Sequence, residues 1–436
     1  MKSISGRWLL FISFVFVLFS VLLFPVCAGE VVKIHPGQEY QIIEGFGTSL
    51  AWWANVVGGW QDYNKKRDIL DLLFTTSRGI GLNIVRYNIG GGENPEHEHM
   101  RVGAEIPGYQ PAPGVWDWNA DANQRWILQE AINRGVTRLE AFSNSPPYWM
   151  TYSNCSAGST LGGNNLKDDM YDDFAEYLTE VVKFFKDYWG ITFDTLSIFN
   201  EPISLWWTSS NNQEGCHFDR DKQNLLIKEV QSRLVAKNLP TKISVPEEYS
   251  VNDTLDSFNF YDSTAKSYVY QINTHSYSGD KRTMLRNLAA EYDKRLWMSE
   301  AGAGVGSHDH EAIDSSLSLA NLIRKDLKEL QPTAWVYWQA VEDEDRAVEY
   351  NHNWGLIHAT FSSGENYYIT KQYYAMGNYS KFIRPGYKII GLDDSNNISL
   401  AAYDRASGTL VIVTTNDTTS DINITYDITE FSNVLG

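Results

Sequence analysis

The sequence predicts an α/β protein: a (β/α)8 TIM barrel with a side antiparallel β-sandwich domain built from both chain ends. Three observations predict it. At 436 residues, the chain exceeds what one compact sandwich or bundle needs and suits a barrel with a small companion. Between about Gly45 and Lys381, short β-branched or aromatic runs alternate with amphipathic stretches. After Arg384-Pro385-Gly386 the texture changes to short alternating strands separated by Asn, Asp, Ser and Gly.

The elements follow in chain order. Residues 1–28 read as an export signal: Lys2 and Arg7 give a positive start, an apolar run extends from Trp8 to Phe24, and Val26-Cys27-Ala28 precedes Gly29. The mature chain is then expected to be secreted, extracellular and free of the membrane, an uncleaved anchor being the alternative. Losing Cys27 leaves Cys155 and Cys216, and one pair in an oxidising compartment suggests a single disulfide bond. Glycosylation sequons begin at Asn154, Asn252, Asn378, Asn397, Asn416 and Asn423, which suits a glycoprotein.

Residues 29–42 include the strand-like Val31–Ile42, which can pair into the C-terminal sheet. The barrel is assigned to residues 43–384. Its expected strands are Ile43–Gly47, Leu82–Asn88, Val136–Ser143, Thr195–Asn200, Lys242–Pro246, Tyr268–His275, Arg295–Glu300 and Thr333–Gln339. Helical segments fall between most of them, at Asp62–Thr75, Asp169–Tyr188, Lys222–Lys237 and His310–Leu330. In the second of these, Phe174, Tyr177, Leu178, Val181 and Phe185 recur at helical spacing. Strand and helix repeated in this way give the barrel. A doubly wound open sheet is the alternative, but no Gly-rich phosphate fingerprint opens the first crossover. Residues 385–436 hold the strands Tyr387–Ile390, Ile398–Tyr403, Leu410–Thr415 and Ile422–Ile428. The chain stops at Gly436, short of the usual strand count of a two-sheet sandwich, so this domain is expected to be incomplete.

Composition narrows the function. The formal net charge of −18 disfavours nucleic acid and anionic lipid as partners, and disfavours a polyanionic polysaccharide. The 15 Trp, 25 Tyr and 19 Phe make 14% of the chain aromatic. Many of them lie in polar stretches such as Ala51-Trp52-Trp53 and Leu205-Trp206-Trp207. Flat apolar faces beside hydrogen-bonding groups suit sugar rings, although aromatics also fill large cores.

Catalytic groups of a barrel sit where its strands end. Two strand ends finish in glutamate, Phe199-Asn200-Glu201-Pro202 and Met298-Ser299-Glu300. Paired carboxylates facing one cleft suit glycosidic hydrolysis with retention, one donating a proton and the other attacking the anomeric carbon. Capping of a following helix is the competing use of either residue. Aldolase or isomerase chemistry would want a strand-end Lys or a metal triad, and neither is evident. No cofactor and no metal are expected. Glu96-His97-Glu98-His99 reads as a polar loop over the cleft, since histidines at i and i+2 do not share a helix face. Glu247 and Glu248 suit either the cleft or a helix start.

Beyond these residues, a set of motifs in order resembles glycoside hydrolase family 30. They are Glu44-Gly45-Phe46-Gly47, Asn83-Ile84-Val85-Arg86-Tyr87-Asn88, Ser145-Pro146-Pro147-Tyr148-Trp149-Met150, Phe199-Asn200-Glu201-Pro202, Thr274-His275-Ser276-Tyr277 and Trp297-Met298-Ser299-Glu300. The resemblance implies a retaining glycosidase with Glu201 as general acid/base and Glu300 as nucleophile. It further implies that Asn200 binds the sugar 2-hydroxyl, Arg86 keeps Glu300 ionised, and Tyr277 or His275 orients it. Trp338 and Trp149 would form the floor and wall of the sugar subsite, with Trp53 also binding substrate. The stretches Gly90–Pro95, Leu205-Trp206-Trp207 and Asn212–Phe218 are most similar to the endo-β-1,6-galactanase branch, which acts on the galactan side chains of arabinogalactan proteins. The implied substrate is a neutral polysaccharide and the implied enzyme a monomer. The acidic run Glu342-Asp343-Glu344-Asp345 supports neutrality, with Arg346 an unexplained exception. β-1,6-Glucan, xylan, glucosylceramide and a non-catalytic carbohydrate-binding role are the alternatives.

Overall fold

The computed structural model describes residues 30–431; the expected export signal lies outside them. β1 (Glu30–Ile42) leads into eight strands that close a parallel barrel: β2 (Gly45–Ser49), β3 (Ile84–Asn88), β4 (Arg138–Phe142), β5 (Thr195–Ser197), β6 (Lys242–Ser250), β7 (Val269–Ser278), β8 (Arg295–Ala301) and β9 (Ala334–Gln339). Closure comes from β2 against β9, with Gly45 opposite Ala334 and Gly47 opposite Val336. The barrel's strands are those expected, with two informative differences. β5 leaves its ladder at Ser197, and the chain bends until Glu201 takes φ 48° and donates its amide to the Glu247 carbonyl at 2.7 Å. β6 runs on past Pro246 to Ser250, with a register break at Glu247, which sits at φ 62°. Such a bulge re-aims a side chain, here the Glu247 carboxylate, toward the barrel axis.

The helices pack outside by the spacing read from the sequence. In Tyr171–Trp189 the residues Phe174, Tyr177, Leu178, Val181 and Phe185 are all buried. Asp172 and Asp173 complement its N-terminal dipole, and Gly190 at φ 68° stops it. The helix Tyr63–Phe74 starts at Asp62, whose side chain accepts from the amides of Asn64 and Lys65. Within the barrel, Ile84, Trp297, Ala334 and Val336 form an apolar plug. The interior also holds a polar cluster centred on Glu140, which accepts from Thr195, Ser244 and Asn273.

Beyond the barrel, β10 (Val341–Asp343), β11 (Ile357–Ala359) and β12 (Tyr367–Ile369) make a small sheet that the sequence pattern did not reveal. The last strands, β13 (Lys388–Leu392), β14 (Ser399–Asp404), β15 (Thr409–Thr414) and β16 (Ile424–Asp427), join β1 in the order β15-β14-β13-β1-β16. β1 pairs antiparallel with β13, Ile34 opposite Leu392, but parallel with β16, Glu30 opposite Ile424. Among the described residues the side domain is this one sheet. Ile34, Ile390 and Ala401 form its buried cluster.

The expected disulfide is absent: Cys155 and Cys216 are both buried free thiols. Each lies against a separate backbone carbonyl, Cys155 Sγ against Ser209 and Cys216 Sγ against His217. Burial raises the Cys216 thiol to about 12. Among the described residues no helix is long and apolar enough to cross a membrane.

Candidate active site

The carboxyl ends of β3, β5, β6, β7, β8 and β9 converge on a cleft of about 620 Å³. Its lining includes Glu201, Glu300, Asn200, Tyr277 and Trp338. Glu201 and Glu300 both approach His275 Nδ1, and one oxygen of each carboxylate and a ring nitrogen of His275 lie within 4.8 Å of one another.

Arg86 organises the floor. Its guanidinium is wholly buried and its three nitrogens serve three carboxylates. Nε donates to Glu140 at 2.9 Å, Nη2 to Glu247 at 2.8 Å and Nη1 to Glu300 at 3.1 Å. The planar fork matches such a multidentate task better than an ammonium would. Burial pulls the Arg86 pKa down, but Glu247, Glu140 and Glu300 outweigh it and the net shift is upward. Phe142 covers the guanidinium face at 4.3 Å.

His275 is the second cation. Burial opposes its charge, yet Glu300, Glu201 and Glu247 together raise it to about 10. Its Nε2 meets Glu247 at 2.8 Å, while Nδ1 meets Glu201 at 3.1 Å and Glu300 at 3.5 Å. Glu247 is thereby the shared counter-ion of Arg86 and His275, and it also accepts from Ser299 Oγ at 2.8 Å. Against its own burial, these partners hold it down at about 2.

Glu300 accepts from Tyr277 O–H at 3.1 Å on one oxygen and from Arg86 on the other. Burial nevertheless raises it to about 7, with Glu201 and Glu247 adding to the rise against His275 and Arg86. Arg86 does donate to Glu300 as expected, but burial works against the ionised form. The donors on its two oxygens, Tyr277 and Arg86, favour the Glu300 anion but do not cancel the effect of burial.

The backbone of Glu201 is fixed by Trp207, whose indole N–H donates to its carbonyl at 3.0 Å. Gly215 makes room for that indole: a Cβ there would lie 2.0 Å from the Trp207 ring. Asn200 lines the cleft, and its Oδ1 is buried without a partner in the protein.

The aromatic assignments change in part. Trp338 lines the cleft and meets Trp52 edge-on at 5.1 Å. Trp53 does not line it: helix Trp53–Gly58 begins there, and its indole turns inward to donate to the Ser49 carbonyl at 3.0 Å. Its neighbour Trp52 takes the cleft position instead, with the Arg101 guanidinium 3.6 Å from its ring centre. Trp149 is likewise outside the lining, tied to the Gln110 carbonyl at 2.8 Å and packed on the main core. Trp206, Tyr249 and Trp354 are cleft aromatics that the residue-by-residue reading missed. Tyr249 stacks on Tyr277 at 5.2 Å and meets Trp206 edge-on at 5.2 Å.

The acidic run does not make the cleft acidic. Glu342 faces it, but Asp343 caps the helix Glu344–Tyr350, Glu344 meets three histidines, and Asp345 binds the Ser362–Ser363 turn. Arg101 and Arg346 also line the cleft, so the run no longer argues for a neutral ligand. The Glu96–His99 segment is largely exposed, with His99 paired to Glu93 at 2.9 Å.

Residues 29–293 match the profile described as O-glycosyl hydrolase family 30. The chain is 33% identical to an endo-β-1,6-galactanase of Hypocrea rufa, over 92% of this chain and 84% of that protein. Among solved structures it is similar to a conserved exported protein of Bacteroides fragilis, with a TM-score of 0.75 at 22% identity, covering 92% of each chain. It is also similar to the catalytic domain of a family 30 xylanase of Talaromyces cellulolyticus, with a TM-score of 0.66 at 22% identity, covering 88% of this chain and 86% of that one.

Proposed function

Since the chain belongs to O-glycosyl hydrolase family 30 and is a glycoside hydrolase, we propose that it is a secreted, monomeric, retaining endo-glycosidase of β-1,6-linked galactan, acting on the side chains of arabinogalactan. The observation that carries the mechanism is that one carboxylate oxygen of Glu201 lies within 4.8 Å of one of Glu300, leaving no room for a water between the two groups. Retention needs carboxyl groups about 5–5.5 Å apart, whereas inversion needs about 6.5–9.5 Å to admit a water between them.

In the first half-reaction a Glu300 oxygen forms a bond to the anomeric carbon as the glycosidic C–O bond breaks. Glu201 gives its proton to the departing oxygen. The sugar is then an ester of Glu300, so Glu201 no longer faces an anionic carboxylate. Glu201 now takes a proton from water, whose oxygen attacks the same carbon from the opposite face and releases Glu300. Asn200, with its free acceptor, suits the 2-hydroxyl, a contact that tightens as positive charge grows on the ring. Trp52 and Trp338 offer apolar faces to the sugar rings.

The galactan reading rests on the 33% identity to the galactanase over most of both chains. Export rests on the N-terminal pattern of residues 1–28, and glycosylation on sequons of which Asn154, Asn378, Asn397, Asn416 and Asn423 are exposed. The test is product analysis with de-arabinosylated β-1,6-galactan, β-1,6-glucan and glucuronoxylan, beside Glu300→Gln. Short galacto-oligosaccharides from the parent are expected, with a loss of roughly 10⁴-fold or more in the variant. Products from another polymer alone would overturn the galactan reading and leave the double displacement. No product from any polymer would favour a carbohydrate-binding role.

A further inference from the structure

Outside the carboxylate pair, three imidazoles and one carboxylate from separate parts of the chain meet at a single point. His308 and His310 come from the loop after β8, Glu344 from the start of the helix after β10, and His358 from β11. His308 Nε2, His310 Nε2 and His358 Nδ1 lie 3.0, 3.1 and 2.8 Å from the same oxygen, Glu344 Oε2. All four donor atoms are within 4.8 Å of one another. The group is sheltered: the side chain of His358 is fully buried and that of Glu344 only 12% exposed. We propose that His308, His310, Glu344 and His358 form a closed, four-ligand site for one zinc-type divalent cation, which fastens the loop after β8 to the β10–β11 segment.

The chemistry of His358 points the same way. Its Nε2 contacts the Trp354 carbonyl, which can only accept, so Nε2 carries the hydrogen. That leaves Nδ1 as the nitrogen facing the Glu344 oxygen 2.8 Å away, the geometry a cation shared by the two would use. The Trp354 carbonyl is the outer partner that fixes tautomer and ring orientation in such sites. Three imidazoles and a carboxylate suit tetrahedral zinc, whose ligand bonds of about 2.0–2.1 Å put donor atoms about 3.3 Å apart. The three separations from Glu344 Oε2 need an outward shift of only a few tenths of an ångström. Tyr368 stacks on His310 at 4.9 Å and 10°, which holds that ring in place.

His308 and His310 are two apart in sequence, as are His97 and His99. In a helix that spacing separates the rings, but along irregular, extended backbone residues i and i+2 share a side. Only the first pair meets a third imidazole. The site also reaches the cleft through Trp354, whose carbonyl holds His358 and whose indole lines the cleft over Gly304. A Cβ at Gly304 would lie 2.0 Å from that indole. The cation would therefore stiffen one wall of the cleft, acting on substrate affinity more than on bond cleavage.

The test uses the full secreted chain, stripped with a chelator, loaded with zinc sulfate and passed through a desalting column before metal analysis. About one zinc per chain is expected to remain, with a higher Tm and a lower KM than the stripped protein. Cobalt in its place should give the intense visible absorption of tetrahedral Co²⁺, a readout that needs no variant. His310→Ala, at the more exposed edge, and His358→Ala should each retain less than about a tenth of the parent's zinc. Parent protein that keeps less than about a tenth of an equivalent, or variants that keep as much as the parent, would overturn the site. Hydrolysis of galactan is scored separately, so neither result bears on the glycosidase assignment.

Discussion

The two mouths of the barrel differ in a way that volume alone would misjudge. The N-terminal mouth opens on the larger cavity, about 900 Å³, against about 620 Å³ for the cleft at the C-terminal mouth. Its lining carries Glu44, Arg138, Asp194, Lys242, Lys294 and Arg295. There the arginines are paired with carboxylates and partly in water: Arg138 lies 3.6 Å from Glu44 and 3.4 Å from Asp194, with its side chain 44% exposed. At the C-terminal mouth Glu140, Glu201, Glu247 and Glu300 surround two cations, Arg86 and His275, and all six are buried. Burying that much uncompensated carboxylate is costly, and it is tolerated only where each group is held by hydrogen bonds. Charge under strain, rather than space, marks the working end.

Removing Arg86 would sharpen this contrast most. Arg86→Met leaves Glu140 and Glu247 buried without their main cation, and should destabilise the fold by about 3–5 kcal/mol. Activity should fall by at least about 10³-fold, since Glu300 loses the donor on one of its oxygens. The stability deficit should shrink as pH falls, because a protonated carboxyl no longer needs the partner. Denaturant titrations of both proteins at neutral and mildly acidic pH would measure this. An equal deficit at both would break the argument.

Asn200→Ala comes next. It removes an acceptor that satisfies nothing in the protein itself, so little stability should be lost, while kcat should drop by about 10²-fold through the 2-hydroxyl contact. A rise in KM alone, with kcat kept, would assign Asn200 to uniform binding instead.

The pH profile is a gentler probe. In the proposed double displacement Glu300 must be ionised to attack. With burial raising it to about 7, kcat/KM should fall as pH drops through that value, giving the acidic limb. Tyr277→Phe, by removing a donor to ionised Glu300, should move the acidic limb upward. An unmoved limb would separate Tyr277 from the nucleophile.

Much of this was legible in the sequence. The barrel strands were legible because they alternate with helical segments; Glu201 and Glu300 were singled out as glutamates at strand ends, and Arg86 by the family resemblance. Glu247 was left open between cleft and helix start, since the bulge that turns it inward is a backbone event with no residue signature. Trp53 was chosen over Trp52 by a single position, and only the onset of the helix at Trp53 decides which indole faces the cleft. The histidine cluster was invisible because Glu344 and His358 come from segments far from His308 and His310. Charge counting along Glu342–Asp345 misled for a related reason: adjacent acids point to four different partners.

The smallest expected effect completes the comparison, and it lies at the other mouth. Arg138→Ala removes a guanidinium that reaches Glu44 and Asp194 only at 3.6 and 3.4 Å. Solvent screens both contacts, and both carboxylates keep other partners: Glu44 accepts from Arg295 and Thr333, and Asp194 accepts from the Leu139 amide. The loss should stay under about 1 kcal/mol, and kcat/KM should not move. Should Arg138→Ala instead lower kcat/KM, the polar interior around Glu140 would have to couple the two ends. Arg138 and Glu140 are two apart on β4, so that coupling would run along a single strand and would also appear in Glu140→Gln. An unchanged kcat/KM in Arg138→Ala together with a large loss in Glu140→Gln would locate the boundary of the catalytic charge cluster between those two residues.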